Sequence, residues 1–128
     1  MNLDTQARYA PTHEWARKEG NELVIGISDH AQHSLGDIVF VDLPRAGAVF
    51  GAKASFGVVE SVKAASDVYV PAAGKITAVN ENLAGQPELV NQDCYGSGWL
   101  IRMIPDNPAD WDALLSPEEY EKLAASEE

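Results

Sequence analysis

Cysteine is almost absent, with Cys94 the only one in 128 residues. One thiol cannot form an internal disulfide, and it leaves no multi-cysteine zinc site to build. Cations are scarce too. Nine Lys and Arg face twenty Asp and Glu, a formal net charge of −11 at pH 7. A duplex nucleic-acid binder needs a cationic face to displace counterions from phosphate, and an anionic membrane surface attracts basic segments, so both partners are disfavoured. Long apolar runs are missing as well: none approaches the roughly 18–20 residues of a membrane span. The opening stretch, Met1-Asn2-Leu3-Asp4-Thr5-Gln6, has no basic region followed by an apolar one, and it lacks the Arg-rich, acid-poor texture of a transit peptide. The expectation is a mature cytoplasmic chain.

What is present is ordinary globular material, 45% hydrophobic and 23% charged. The length suits one core. We expect one domain over residues 1–128, with a β core over about 9–104 and a C-terminal helical segment over about 107–126. The acidity is uneven. Residues 105–128 hold eight acids and one base, a net of −7, against −4 for residues 1–104. A solvated helical tail with acids near helix starts accounts for this, and so does steering toward basic partner surfaces.

Short strand patterns dominate. Residues 22–27, 37–43, 54–62, 68–70, 74–79 and 98–104 are rich in β-branched and aromatic side chains, and Gly/Pro turns separate them. Residues 44–51 read as a loop. Ser28 caps a short helix through His33, and Gly36 stops it. Asn107-Pro108-Ala109-Asp110 and Ser116-Pro117-Glu118-Glu119 each offer a cap, a proline at the first helical position and an acid three residues after the cap. This pattern predicts a small mainly-β sandwich or barrel with two short C-terminal helices packed on it. A faint repeat sets Gly36-x-Ile38 and Val41 against Gly74-x-Ile76 and Val79, an offset of 38.

The most informative stretch runs from Gly57 to Pro71. Apolar strand residues lead to Val62, Lys63 and two alanines follow, Ser66 and Asp67 favour a turn, and the apolar pattern resumes at Val68. This predicts a hairpin with Lys63 at or near its tip. A solvated turn lysine fits the pattern. So does a lysine that carries a swinging cofactor, because a hairpin tip holds the amine clear of the domain and Ala64 and Ala65 leave space for an attaching enzyme. A free lysine amine is protonated at neutral pH, so acylating it requires an enzyme that accepts the proton.

A longer set of segments resembles one family. His13-Glu14-Trp15, Ala31-Gln32, Leu35-Gly36-Asp37-Ile38-Val39-Phe40-Val41, Leu43-Pro44, Glu60-Ser61-Val62-Lys63-Ala64, Ser66-Asp67, Leu89-Val90-Asn91 and Gly98-Trp99-Leu100 match, in order and spacing, the H proteins of the glycine cleavage system. The similarity runs from about Tyr9 to the last helix. It implies a lipoyl-domain-like barrel-sandwich hybrid of two small antiparallel sheets with short helices. It also implies lipoate bound covalently to Lys63. Biotin carriers usually flank their lysine with methionines, and lipoyl domains of 2-oxo acid dehydrogenases usually precede it with Asp. Here Val62 and Ala64 flank it, as in H proteins.

The same resemblance implies a non-catalytic carrier. Its lipoyl arm accepts an aminomethyl group from glycine on the pyridoxal-phosphate-dependent glycine decarboxylase (P protein) and passes it to the tetrahydrofolate-dependent aminomethyltransferase (T protein). Dihydrolipoyl dehydrogenase (L protein) then reoxidises the arm, which a lipoylating enzyme first attaches. Tethering raises the concentration of the reactive group at each partner. A labile aminomethyl group benefits from a cleft and a carboxylate, and Glu14 and Asp67, with Thr12 nearby, are the candidates. Glu60 shares a face with Val62 if the strand continues, and is a candidate for recognition by the lipoylating enzyme. A mobile carrier gains from exposed faces, so a monomer is expected.

Other readings remain open. An H-like protein can serve as an octanoyl or lipoyl relay, and a binding module would leave Lys63 unmodified. His30 and His33, three apart on a helix, suggest a metal only weakly, and His13 reads as packed beside Trp15. Cys94 stands where the family more often has proline or a small residue. It reads as a buried small hydrophobe, with thiol exchange or a Cys/His hydrolase as alternatives. His30 stands where many members have an aromatic.

Overall fold

In the computed structural model, which describes residues 1–127, two antiparallel sheets enclose the main core. The larger has six strands: β1 (Ala7–Tyr9), β2 (Glu14–Glu19), β3 (Glu22–Ile27), β5 (Val49–Phe50), β8 (Gly74–Val79) and β9 (Ile101–Pro105), in the order β1-β2-β3-β9-β8-β5. The smaller has β4 (Ile38–Asp42), β6 (Ser55–Ser61) and β7 (Ala65–Tyr69), in the order β4-β6-β7. This is the mainly-β, two-sheet arrangement the sequence predicts.

The alternation of side chains explains the layers. Leu23, Ile25 and Ile27 of β3 meet Ile38, Val59 and Val68 of the small sheet in the inner core. Val24 points the other way, into a second cluster with Tyr9, Trp15 and Tyr120. That cluster seats helix α3 (Pro117–Ser126) on the outer face of the large sheet. Each large apolar side chain so buried is worth about 1.5–3 kcal/mol. Ser116 caps α3, and a capping box with Glu119 and a proline at its start complete the signal read from sequence. Helix α1 (Asp29–Leu35) begins at Ser28, whose hydroxyl accepts from Ala31 N–H, and ends at Gly36, where φ is +82°. A one-turn helix α2 (Leu89–Gln92) sits beside α1, and Asn91 ties the two by donating to Gln32 Oε1 (2.9 Å) and the Gly36 carbonyl (2.9 Å).

Several expectations need correction. Ser66 and Asp67 lie in strand β7, because the turn closes earlier, at residues 61–64. Val62 is therefore in the turn and does not extend the β6 face that holds Glu60. Residues 98–100 precede β9, which runs from Ile101 to Pro105. Residues 44–51 contain the short strand β5, paired with Lys75 and Gly74. The helix start at Asn107 yields one 3-10 turn, Pro108–Asp110. Tight backbone turns carry the chain on to Leu114, and Trp111 donates its Nε1–H to the Ala16 carbonyl at 2.8 Å, which fixes this segment against β2. The repeat positions Ile38 and Ile76 fall in β4 and β8, but the paired glycines differ: Gly36 ends a helix, while Gly74 lies within a strand.

Candidate functional site

Lys63 occupies the hairpin tip between β6 and β7. The register Val59↔Ser66 and Glu60↔Ala65 leaves residues 61–64 to make the turn. Ser61 N–H donates to the Ala64 carbonyl at 2.7 Å. The buried Ser61 hydroxyl accepts from Ala64 N–H (3.1 Å) and Lys63 N–H (3.3 Å). Val62 N–H donates to the Asp37 carbonyl at 3.2 Å, which docks the tip on the loop after α1. The turn is thus held by its own hydroxyl and by a neighbour, while Val62 (73% exposed), Lys63, Ala64 and Ala65 face solvent. The role of Ser61 has a sequence signal, a serine two residues before the lysine that can bond the next backbone amides; sequence reasoning missed it.

The lysine stem leans back over Gly36. A Cβ built on that glycine would lie 3.6 Å from Lys63 Cε. Next to this point opens a cleft of about 290 Å³. Its walls are α1 (His30, Ala31, Ser34, Leu35) and β7 (Ser66, Asp67, Val68), and Thr12, His13, Glu14, Ile27 and Glu127 complete it. Three predicted residues, Thr12, Glu14 and Asp67, therefore come together in one cavity. Glu60 lies outside it, half-buried on β6 between Phe40 and Ala65 in register.

Glu14 is the unusual group. It starts β2 and is only 1% exposed. Its carboxyl accepts from the Thr12 hydroxyl and from Tyr69 N–H at 3.2 Å. Both bonds favour the charged form, but burial outweighs them and pushes the carboxyl up to about 7. Asp67 and Thr12 are exposed at the rim. The cleft offers apolar walls, a buried carboxyl and a second, solvated carboxylate. That combination suits a small ligand with a cationic end and an apolar body.

The histidines depart from the sequence reading. The ring contacts of His13 are made with Tyr120 and His30. Its ring lies edge-on to Tyr120 (centroids 5.6 Å) and 4.9 Å from the ring of His30, and its backbone is left-handed, φ +81°. His33 is exposed on α1, away from both the cleft lining and the His13–His30 pair. Glu127 joins His13 through a 3.0 Å contact that spans 114 positions, and no local pattern could have shown it. Cys94 is buried, and burial with nearby Asp29 pushes its thiol up to about 12. A buried thiol that resists ionisation is a poor nucleophile, which counts against the Cys/His hydrolase.

Known proteins match this chain throughout. The family model described as "Glycine cleavage H-protein" covers residues 7–127. The glycine cleavage system H protein of Carboxydothermus hydrogenoformans is 55% identical over 120 residues, covering 94% of this chain and 92% of the relative. The glycine cleavage system H protein 2 of Pseudomonas putida is 53% identical over 123 residues, covering 95% and 96%. The crystal structure of a glycine cleavage system H protein from Mycobacterium marinum superposes with a TM-score of 0.88 at 34% identity, covering 96% of this chain and 99% of that one. With its two sheets, its lysine-tipped hairpin and its C-terminal helix, the chain belongs to the glycine cleavage H-protein family.

Proposed function

We propose that Lys63 is acylated by lipoate, and that the chain serves as the lipoyl-bearing carrier of the glycine cleavage system without catalysing any step itself. One observation carries the reading: an exposed lysine on a fixed turn stands beside a cleft that holds a buried carboxyl. An attaching enzyme needs an amine it can surround, and the small exposed Ala64 and Ala65 give it room. The lysine stem lies over Gly36, at the end of α1, and α1 forms one wall of the cleft.

When bound, the lipoyl group supplies a disulfide that takes the aminomethyl group left by glycine decarboxylation, yields it to tetrahydrofolate chemistry and is reoxidised. The chain's own residues hold and shelter. Glu14 sets a carboxyl inside the cleft where an ammonium can pair with it, and the Thr12 hydroxyl and Tyr69 N–H fix its orientation. Asp67 adds a second carboxylate at the rim. Ile27, Leu35 and Val68 line the wall and keep water from the docked end. Glu60, beside the turn on β6, is a contact for the lipoylating enzyme.

The partners in this reading are the P, T and L proteins and that lipoylating enzyme. The acidic residues 105–128 steer the carrier toward basic faces on them. We infer a monomer acting in the cytoplasm. Among the described residues no helix is long and apolar enough to cross a membrane.

Intact and peptide mass spectrometry after incubation with lipoate, ATP and a lipoate ligase tests the reading, with Lys63→Arg alongside. One lipoyl group mapped to Lys63 and absent from the variant is the expected result. An unmodified, folded chain, with a known lipoyl domain modified in parallel, would overturn it and favour a binding module.

A further inference from the structure

The geometry points to a zinc site formed by His13, His30 and Glu127 at the rim of the cleft, separate from the lysine and the buried carboxyl. Three distant segments converge there: the loop before β2, the first turn of α1 and the residue that ends α3. A nitrogen from each ring and a carboxylate oxygen all lie within 4.8 Å of one another. Donors on a tetrahedral zinc, with metal bonds of roughly 2.0–2.2 Å, stand about 3.3 Å apart. His13 Nε2 and Glu127 Oε1 are already 3.0 Å apart, so two of the three donors stand near coordination spacing, and the His30 ring lies 4.9 Å from that of His13.

The surroundings orient His13 for this task. Its left-handed backbone is held by a bond from its own N–H to the Ala10 carbonyl (2.9 Å) and by Ser28 N–H donating to its carbonyl (2.9 Å). Its Nδ1 lies 2.6 Å from Tyr120 Oη, which itself lies 2.6 Å from Ser28 Oγ. With a metal on Nε2, Nδ1 carries the proton and donates to Tyr120. That outer partner fixes the tautomer and raises the basicity of the ring, as in most histidine–metal sites. Three protein donors leave a fourth position for water. Two imidazoles and one carboxylate select zinc over calcium or magnesium, which prefer all-oxygen shells. The net charge of −11 draws cations to the molecule.

The test uses the untagged, chelator-treated full chain carrying Lys63→Arg. That background has no dithiol arm to bind metal, so the result is independent of whether Lys63 is lipoylated. Calorimetric titration with Zn²⁺ should give one ion per chain. His30→Ala and Glu127→Gln should each weaken binding at least tenfold, and His33→Ala should leave it unchanged. Co²⁺ in the same chain should show the intense visible bands of four-coordinate geometry, lost in His30→Ala. Neither His30 nor Glu127 belongs to the buried core, so these variants should keep the fold, and circular dichroism checks it. No Zn²⁺ binding, or equal affinity in all three variants, would overturn the site and leave His13 and Glu127 as a hydrogen-bonded pair only.

Discussion

Tyr120, from the C-terminal helix, places its hydroxyl 2.6 Å from Ser28 Oγ, the residue that caps α1. Because His13 Nδ1 lies at the same distance on the other side, one phenol joins α3, α1 and the loop before β2. Tyr120→Phe keeps the ring stacked on Tyr9, at 4.5 Å between centroids, and removes only these bonds. Stability should fall by about 1–3 kcal/mol, the cost of stranding buried polar partners. Urea unfolding of the two proteins measures it.

Ser61→Ala should loosen the tip without touching Lys63. The turn loses the acceptor for two backbone amides, at about 1 kcal/mol of stability. Lipoylation by a ligase should slow several-fold, with Ser61→Thr restoring most of the rate. Equal time courses for wild type and Ser61→Ala would show that the turn needs no such support.

Gly57 faces β4 so closely that a Cβ would sit 2.1 Å from the Asp42 carbonyl oxygen. That oxygen is backbone and cannot rotate away. Gly57→Ala should push β4 and β6 apart and cost more than the ~1–3 kcal/mol of ordinary overpacking. A fall in the thermal midpoint of many degrees is expected.

The buried Glu14 gives stability a pH dependence of unusual sign. Its carboxyl is raised to about 7 in the folded chain, so the folded state holds the proton more tightly than the unfolded state. The resulting stabilisation is fully present below the unfolded value near 4.5 and is lost as pH rises through about 7. The amount is on the order of 3 kcal/mol. In metal-free buffer, the stability of wild type relative to Glu14→Gln should therefore decline between pH 5 and 8. A flat difference across that range would show that Glu14 ionises normally.

The same residue should govern how long a loaded arm keeps its cargo. In Glu14→Ala and Asp67→Asn, Lys63 should be lipoylated to the wild-type extent, while the glycine-derived one-carbon unit should hydrolyse faster. Radiolabelled glycine and a timed quench measure this. Loss at the same rate in Glu14→Ala and wild type would take the shelter role away from the cleft.

Parts of this molecule were plain in the sequence, and the reasons are local. Ser116-Pro117-Glu118-Glu119 carries its own helix start, and the structure keeps it because the helix has Tyr120 and Ala124 to bury. The Lys63 hairpin showed because apolar runs flank it on both sides. Strand β2 was missed: Glu14-Trp15-Ala16-Arg17-Lys18-Glu19 has no β-branched residue, and its charged half sits at the exposed end of the β2–β3 hairpin. Asn107-Pro108 looked like a short helix start, yet it yields one 3-10 turn and a run of tight turns to Leu114, tied down by bonds from Trp111 to β2 and from Arg8 to the Leu114 carbonyl (2.9 Å). Thr12, Glu14 and Asp67 were gathered by resemblance alone. Their shared cavity depends on how β2 and β7 face each other, and no spacing encodes that.

The pinned turn at Ser61 also sets where motion begins. With the backbone of residues 61–64 held by its own bonds and by Asp37, an arm on Lys63 pivots from a fixed Cα like a crank on a bearing. Its reach is a sphere of constant centre, and the chance of finding the cleft depends on side-chain torsions, not on loop wandering. A floppier tip would enlarge the searched volume and lower the concentration of such an arm near the cleft, so a fixed loop is what would make freedom in the arm productive.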